Sequence, residues 1–521
     1  MKYPTRKSRA GYFFTSSEIL TFQYFAILIF FCIFAATILL LIKPIILMNK
    51  MYFRFIALFL LLLPMCAARG QSQVSHIPAN ESDTSIVRYW ENDISIVYTF
   101  DKGSEFMDKY FLLADESAPT VRRIAVPQDV TVNDFRILHD SVFIVGHTMW
   151  MGSPLGLFAC FDIQDFYNGS GYYRWMVTLQ SDMYDCGNDP LLGGGYCVNQ
   201  IYDVTRLAVY DSSGCTKMAY IAKNYVNCPP DSRIGIGSAS FVGGAWSNII
   251  MYNKHAKEDY TDIIATQDYV VAVARNNVDS LLAMRIFPKS SFLTPTWVTI
   301  SPNPWAYYAI TTGQKYWDLK VDDAVMATAL EKDSFAVAYH YTDSPKEGLA
   351  VKTFDISGGV ATFRQGLDVP VVRQPGSKWK MRDISYSPAL QRLMVLNDFD
   401  GGTLGSQTSI VYQFPLSIPL AGTYQGLYPP NYDLHALNLF GISKDAFIAS
   451  GNITSHGPLT LYREVLTTSL SCGVPDFING VKSATTFDTP NMATNMNVPV
   501  RFPGNTSFVV EEVGRDLLCD K

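Results

Sequence analysis

Asp268–Arg275 reads DYVVAVAR, an apolar run between an acid and a base, and six other stretches follow its pattern. They are DISIVYTF from Asp93, DSVFIVGH from Asp140, CTKMAYIAK from Cys215, DSFAVAYH from Asp333, QRLMVLND from Gln391 and DAFIASGN from Asp445. Successive anchors lie 47, 75, 53, 65, 58 and 54 residues apart. Runs such as VVAVA and FAVAY are apolar on both faces, as in strands sandwiched between neighbouring sheets. A repeat of this period, built from short strands, predicts an all-β fold, a single β-propeller.

A shorter strand opening with Asp precedes six of the anchors: NDFRIL with Asp134, YDVTRLAV with Asp203, TDIIAT with Asp262, DDAVMAT with Asp323, RDISYS with Asp383 and YDLHAL with Asp433. A third alternating strand follows each anchor, and a fourth in several copies. Four antiparallel strands make a blade, with the Asp-led strand innermost. The first copy lacks an Asp-led strand, and SFVVEEV from Ser507 is the candidate to complete it. That reading gives seven blades in a ring closed by N- and C-terminal strands. Six blades with an N-terminal extension is the alternative.

Composition agrees with a globular β protein: 17% charged and 13% aromatic residues, 35 Gly and 27 Pro. A net charge of −6 argues against a nucleic-acid partner, which needs a basic face. Tyr24–Ile42 is uncharged and long enough to span a bilayer. A second apolar segment, Phe55–Leu63, ends at Pro64-Met65-Cys66-Ala67-Ala68 and reads as a secretory signal starting at Met48 or Met51. The expected organisation is therefore 1–47 as a mis-started extension or membrane anchor, 48–70 as signal peptide, 71–85 as linker, 86–515 as propeller and 516–521 as tail. The protein is expected to be exported to the periplasm or cell surface, touching the membrane only through its N-terminal segment. Export permits disulfides, with Cys186, Cys197, Cys228, Cys472 and Cys519 as candidates and Cys160, in mid-strand, as the free thiol.

Architecture and export signal together resemble the secreted β-propeller proteins of Gram-negative bacteria, over residues 85–515. The resemblance implies the fold and transfers no functional residues.

The repeat also locates a face. The start of each inner strand lies beside the end of the next, antiparallel strand. The ends carry His147, Lys223, Arg275, His340, Asp398 and Asn452. Both rows are expected to ring one mouth of the central channel. The Asp row reads as structural, each carboxylate accepting backbone N–H groups and fixing the turn between blades. Its sharper alternative is a set of convergent oxygen ligands for Ca²⁺; no other cofactor is evident. Nearby loops are aromatic: Trp150 in one, Trp305, Tyr307, Tyr308 and Trp317 in another, with Tyr225 and Tyr341 in similar positions. Flat rings beside polar groups suit a sugar or a peptide. The candidate binding set is thus Trp150, His147, Arg275, Trp305, Tyr307, Tyr308, Trp317, His340, Tyr341, Asp398 and Asn452. No H-E-x-x-H, G-x-S-x-G or G-K-[ST] spacing occurs. The reading is a non-enzymatic module binding a glycan or a peptide segment of a protein at the mouth. A scaffold of an envelope assembly and a glycan-active propeller enzyme are the alternatives.

Overall fold

The computed structural model describes residues 73–520 except 82–84, 91–93, 101–108, 116–117, 119, 151, 180–181, 186–195, 228–229, 243–244, 254–257, 278–279, 293–307, 310–313, 317–319, 344–345, 371–377, 401–406, 417–423, 429–435, 443–445, 453–457, 466–473, 479–491, 498–499, 502–506 and 515. Gly70–Lys521 form one compact unit. The anchor and signal segments read from residues 1–70 lie outside the described residues. Among the described residues no helix is long and apolar enough to cross a membrane.

The described chain is almost wholly strand, gathered into seven antiparallel sheets of four to seven strands. The first strands of the seven repeat units, one to a sheet, are in chain order Ser85–Tyr89, Val130–Leu138, Tyr196–Ser212, Glu258–Ala265, Val321–Ala329, Lys378–Ser387 and Ala436–Ile442. Each of these pairs antiparallel with a strand built on one copy of the repeat. The seven first strands also touch one another in series, and Ala436–Ile442 touches Ser85–Tyr89. This is a β-propeller arrangement, as the repeat predicts.

The defining stretch shows why the pattern forces stacking. Val270, Ala272 and Ala274 pack with Ala208, Ala219 and Ile221 of the third sheet. Val271 and Val273 point the other way and pack with Val325, Val337 and Tyr339 of the fifth. Successive strand residues face opposite sides, so one strand feeds two interfaces. The sheets on either side exclude water from both faces, and no sheet buries its apolar surface alone. Between the first and second sheets the filling is aromatic: the Phe111 ring meets Phe135 and Phe161 edge-on, with centroids 5.5 and 5.3 Å apart. Turns between first and second strands are tight. Ser213 and Gly214 both take positive φ, 55° and 76°, as a hairpin matching the strands' own twist requires.

Three expectations change at the termini. Residues 73–81, read as linker, form a strand paired with Pro458–Val465 in the last sheet. The expected tail also joins that sheet: Asp516–Asp520 pairs with the other edge of the same N-terminal strand. The first sheet has its own innermost strand, Ser85–Tyr89, which no initial Asp announced. Ser85, Ile86 and Val87 are all buried there, so the position assigned to Ser507–Gly514 is already filled. That segment instead pairs with Thr120–Val126, at the opposite side of the first sheet.

Phe111 is fully buried. Phe111→Ala is expected to lower stability by about 3–5 kcal/mol, read as a shift of the guanidinium unfolding midpoint.

Candidate functional site at the channel mouth

Strand register divides the polar residues of the inner strands into two levels. His147, Arg275 and Asp398 pair with Thr131, Asp259 and Lys380. Each of those partners lies three residues before Asp134, Asp262 or Asp383. Across the ladder Asp134, Asp262 and Asp383 stand opposite Val145, Val273 and Leu396, two residues before those ends, so at about 3.3 Å per residue the Asp row sits about 7 Å below them. A bulge precedes each of these aspartates, leaving Asn133, Thr261 and Arg382 out of the ladder. Bulges re-aim the side chains that follow them.

At the lower level the carboxylates meet arginines. Arg88 of the first sheet donates through Nη2 to Asp134 at 3.1 Å and through Nη1 to Asp383 at 2.9 Å. The Arg136 Nη2 stands 3.3 Å from Asp134 and 4.0 Å from Asp262. Arg206 adds its charge to both Asp134 and Asp262. Asp134, Asp262 and Asp383 are buried, with 0%, 3% and 6% of their surface exposed. The same residues bond one sheet to the next. The Leu207 N–H donates to Asp134 and the Ala327 N–H to Asp262, at 3.1 and 2.9 Å. Arg136 donates to the Leu207 carbonyl, and Arg206 to that of Thr261. Asp134, Asp262 and Asp383 accept backbone N–H groups, the first two from neighbouring sheets and Asp383 from the next residue of its own strand.

Burial and charge compete at each group. Burial opposes ionisation of Asp134, yet Arg136, Arg88 and Arg206 outweigh it and lower its pKa. Burial wins at Asp262 and raises its pKa. For Arg88 burial is also the largest effect and disfavours the cation, but Asp383 and Asp134 overcome it and raise the pKa.

Asp203 departs from the expected row. It pairs directly with Lys223 and so stands at the upper level, while Arg206, three residues on, takes the lower position. The Asp203 Oδ1 is 3.0 Å from His147 Nδ1 and also accepts from Asn133 Nδ2. Asn133 donates as well to the Val204 carbonyl at 2.9 Å. Gly146 makes the close pairing possible: a Cβ there would lie 1.8 Å from the Thr131 oxygen. Near this cluster, Met149 is 47% and Tyr225 44% exposed, both at the upper ends of second strands.

Other expected binding residues are placed differently. His340 and Tyr341 are 5% and 4% exposed. His340 Nε2 lies 3.0 Å from Asn397 Oδ1, inside the packing of the fifth and sixth sheets. Neither side chain is open to solvent: His340 packs toward the sixth sheet and Tyr341 toward the fourth. Arg275 is half-buried and donates to the Val321 carbonyl and to Ser280. Trp150, Tyr308, Asp398, Asn452 and Asp323 lie in strands whose register is described without those side chains. Trp305, Tyr307, Trp317 and Asp433 lie outside the described residues, as do Cys186, Cys228 and Cys472; Cys197 and Cys519 lie in strands. Cys160 is a buried free thiol, pushed up to about 12 by burial and so unreactive; Cys215 is also free.

A Ca²⁺ site does not fit the lower level, because arginines already occupy the places between its carboxylates. Among the described residues no group of three or more His, Cys, Asp or Glu side chains is arranged to hold a metal. Sequence reasoning missed the three arginines, and also a buried pair, Glu258 and Arg285, 2.6 Å apart with Tyr260 donating to the same carboxylate. Arg136 two residues after Asp134, and Arg285 within the apolar run LLAMRIF, were the available signals.

No family model matches the chain, and no curated protein does. Among solved structures it is similar to the Bombyx mori GH32 beta-fructofuranosidase BmSUC1, at 8% identity over 86% of this chain and 94% of that one, TM-score 0.29. A mutant of that enzyme in complex with sucrose matches at 9% identity over 90% and 99%, TM-score 0.30. Drosophila Semaphorin 2a matches at 10% identity over 65% and 74%, TM-score 0.26. Likeness at this level lends the chain no activity.

Asp134 and Asp262 should respond oppositely to neutralisation. A carboxylate whose pKa is lowered on folding contributes stability above its unfolded pKa, and loses it as pH falls through the folded value. Asp134→Asn is therefore expected to cost about 3–5 kcal/mol near neutral pH, by leaving buried arginines uncompensated. A raised pKa has the reverse sign: Asp262 contributes stability in acid that is lost as pH rises through its folded value. Asp262→Asn should cost under about 1 kcal/mol, since an amide oxygen still accepts the Ala327 N–H. Urea unfolding of both variants across the acid range checks the difference.

Proposed function

We propose that the chain is an exported seven-bladed propeller whose channel mouth binds a glycan. The blade count is supported by the seven sheets and by the serial contacts of their first strands. Closure by both termini is supported by the pairing of Gln73–Glu81 with Pro458–Val465 and Asp516–Asp520. Export, to the periplasm or cell surface, rests on the N-terminal apolar segments and the small-residue site after them.

The observation that carries the binding reading is the upper level between the second and third sheets. An exposed tyrosine ring and an exposed methionine lie near a fixed His–Asp–Asn cluster. Flat apolar area with a few oriented polar groups is what recognition of a sugar ring requires. The buried level beneath is charge-paired and offers the ligand nothing, so the mouth acts as a floor-closed cup.

The test is a glycan array probed with the full-length protein and with Tyr225→Ala. Binding that weakens about tenfold or more in the variant is the expected result. An array silent with folded protein removes the glycan reading and leaves a peptide segment of an envelope protein as the ligand to seek.

A further inference from the structure

His147 is held in an unusual way for a strand-end histidine. Its Nδ1 faces the Asp203 carboxylate at 3.0 Å. Asp203 is in turn anchored by Asn133, which is fixed to the backbone at Val204. An ionised carboxylate only accepts, so Nδ1 carries the proton and Nε2 keeps a lone pair. Nε2 has no protein partner among the described residues, and the side chain is 26% exposed. The structure thus spends two polar side chains, Asp203 and Asn133, on orienting one acceptor that nothing in the described protein uses.

We propose that His147 is a proton-controlled acceptor for a ligand hydroxyl, so that the mouth holds a polyhydroxylated ligand at neutral pH and releases it in acid. This rests on the glycan reading. With the ring neutral, Nε2 accepts a hydrogen bond from a sugar hydroxyl. Once the ring is protonated, both nitrogens donate, and the acceptor is gone. The surrounding charges are few. Asp203 and its ladder partner Lys223 belong to the third sheet. Asp129 is bound to Thr148 on the histidine's own sheet. Lys109 of the first sheet is tied to Thr131, the residue opposite His147. Among the described residues only Asp203 bonds the imidazole directly, so protonation of the ring is the change that reaches the acceptor.

Two measurements test this on the full-length protein. Histidine-selective ¹⁵N labelling gives at most seven imidazoles, and the His147 signals are those missing in His147→Gln. The expected spectrum shows the Nδ1–H tautomer near pH 7.5, a mixture of tautomers in Asp203→Asn, and loss of the unprotonated Nε2 signal on acidification. An Nε2–H tautomer, or an Nε2 signal unchanged on acidification, overturns the proposal without touching the glycan reading. Binding to a panel of neutral and uronate oligosaccharides is then compared near pH 7.5 and pH 5. Wild type is expected to weaken about tenfold in acid, and His147→Gln, whose amide oxygen accepts at both pH values, less than about twofold. Equal acid losses in both proteins, or binding that persists in acid, sink the acceptor role alone. Silence of the panel at pH 7.5 sinks it together with the glycan reading.

Discussion

The ion network around Arg88 is the constraint on which the rest of the arrangement depends. One guanidinium from the first sheet bonds carboxylates of the second and sixth, and Arg136 and Arg206 carry the network to the fourth. Three arginines face three buried aspartates, with Arg136 and Arg206 themselves only half-buried. Buried ions cost several kcal/mol each to desolvate, and only close partners with further hydrogen bonds offset that. The structure meets both conditions, because each carboxylate also accepts a backbone N–H. Apolar stacking between sheets is non-directional and allows a sheet to slide; the ion network does not, and so it sets the register of one sheet on the next.

This network also shapes what the mouth can do. Arginines and aspartates bound to one another occupy the level about 7 Å below the ends of the second strands. Above it, the His147–Asp203–Asn133 cluster leaves the His147 Nε2 without a protein partner among the described residues. The two levels use the same residue types with opposite outcomes. Asp134 sits among arginines and serves the fold, whereas Asp203, at the rim, orients an imidazole. Position along the strand, three residues apart, makes the difference.

The repeat was legible because strand physics writes it into the chain. An apolar residue at every position of VVAVA requires a neighbour on both faces, and the two neighbours are there. The candidate site was legible only in part. His147 was reachable as the polar end of an apolar run. His340, at the matching place in its own copy, is buried against Asn397 of the next sheet, a partner that no spacing in its own strand reveals. Asp203 looked like a member of the Asp row because it opens its strand, but a bulge between Val204 and Arg206 changes the alignment and puts an arginine in the row instead. A bulge adds one residue without a compositional mark, so spacing alone does not reveal it.

What the sequence determined by itself is the class of fold and the existence of a repeating inner row, since period-two apolar patterning and recurrent turns are local properties. What only the tertiary structure decided is which charges meet. Arg88, Asp134, Asp262 and Asp383 span 295 residues between the two that bond most closely, and no local pattern encodes a contact across that separation. The same holds for the termini, where Gln73–Glu81 finds its partner in Pro458–Val465. An unpaired strand edge accepts any partner whose backbone groups can reach it, so the choice falls to the closure of the chain rather than to the composition of the segment.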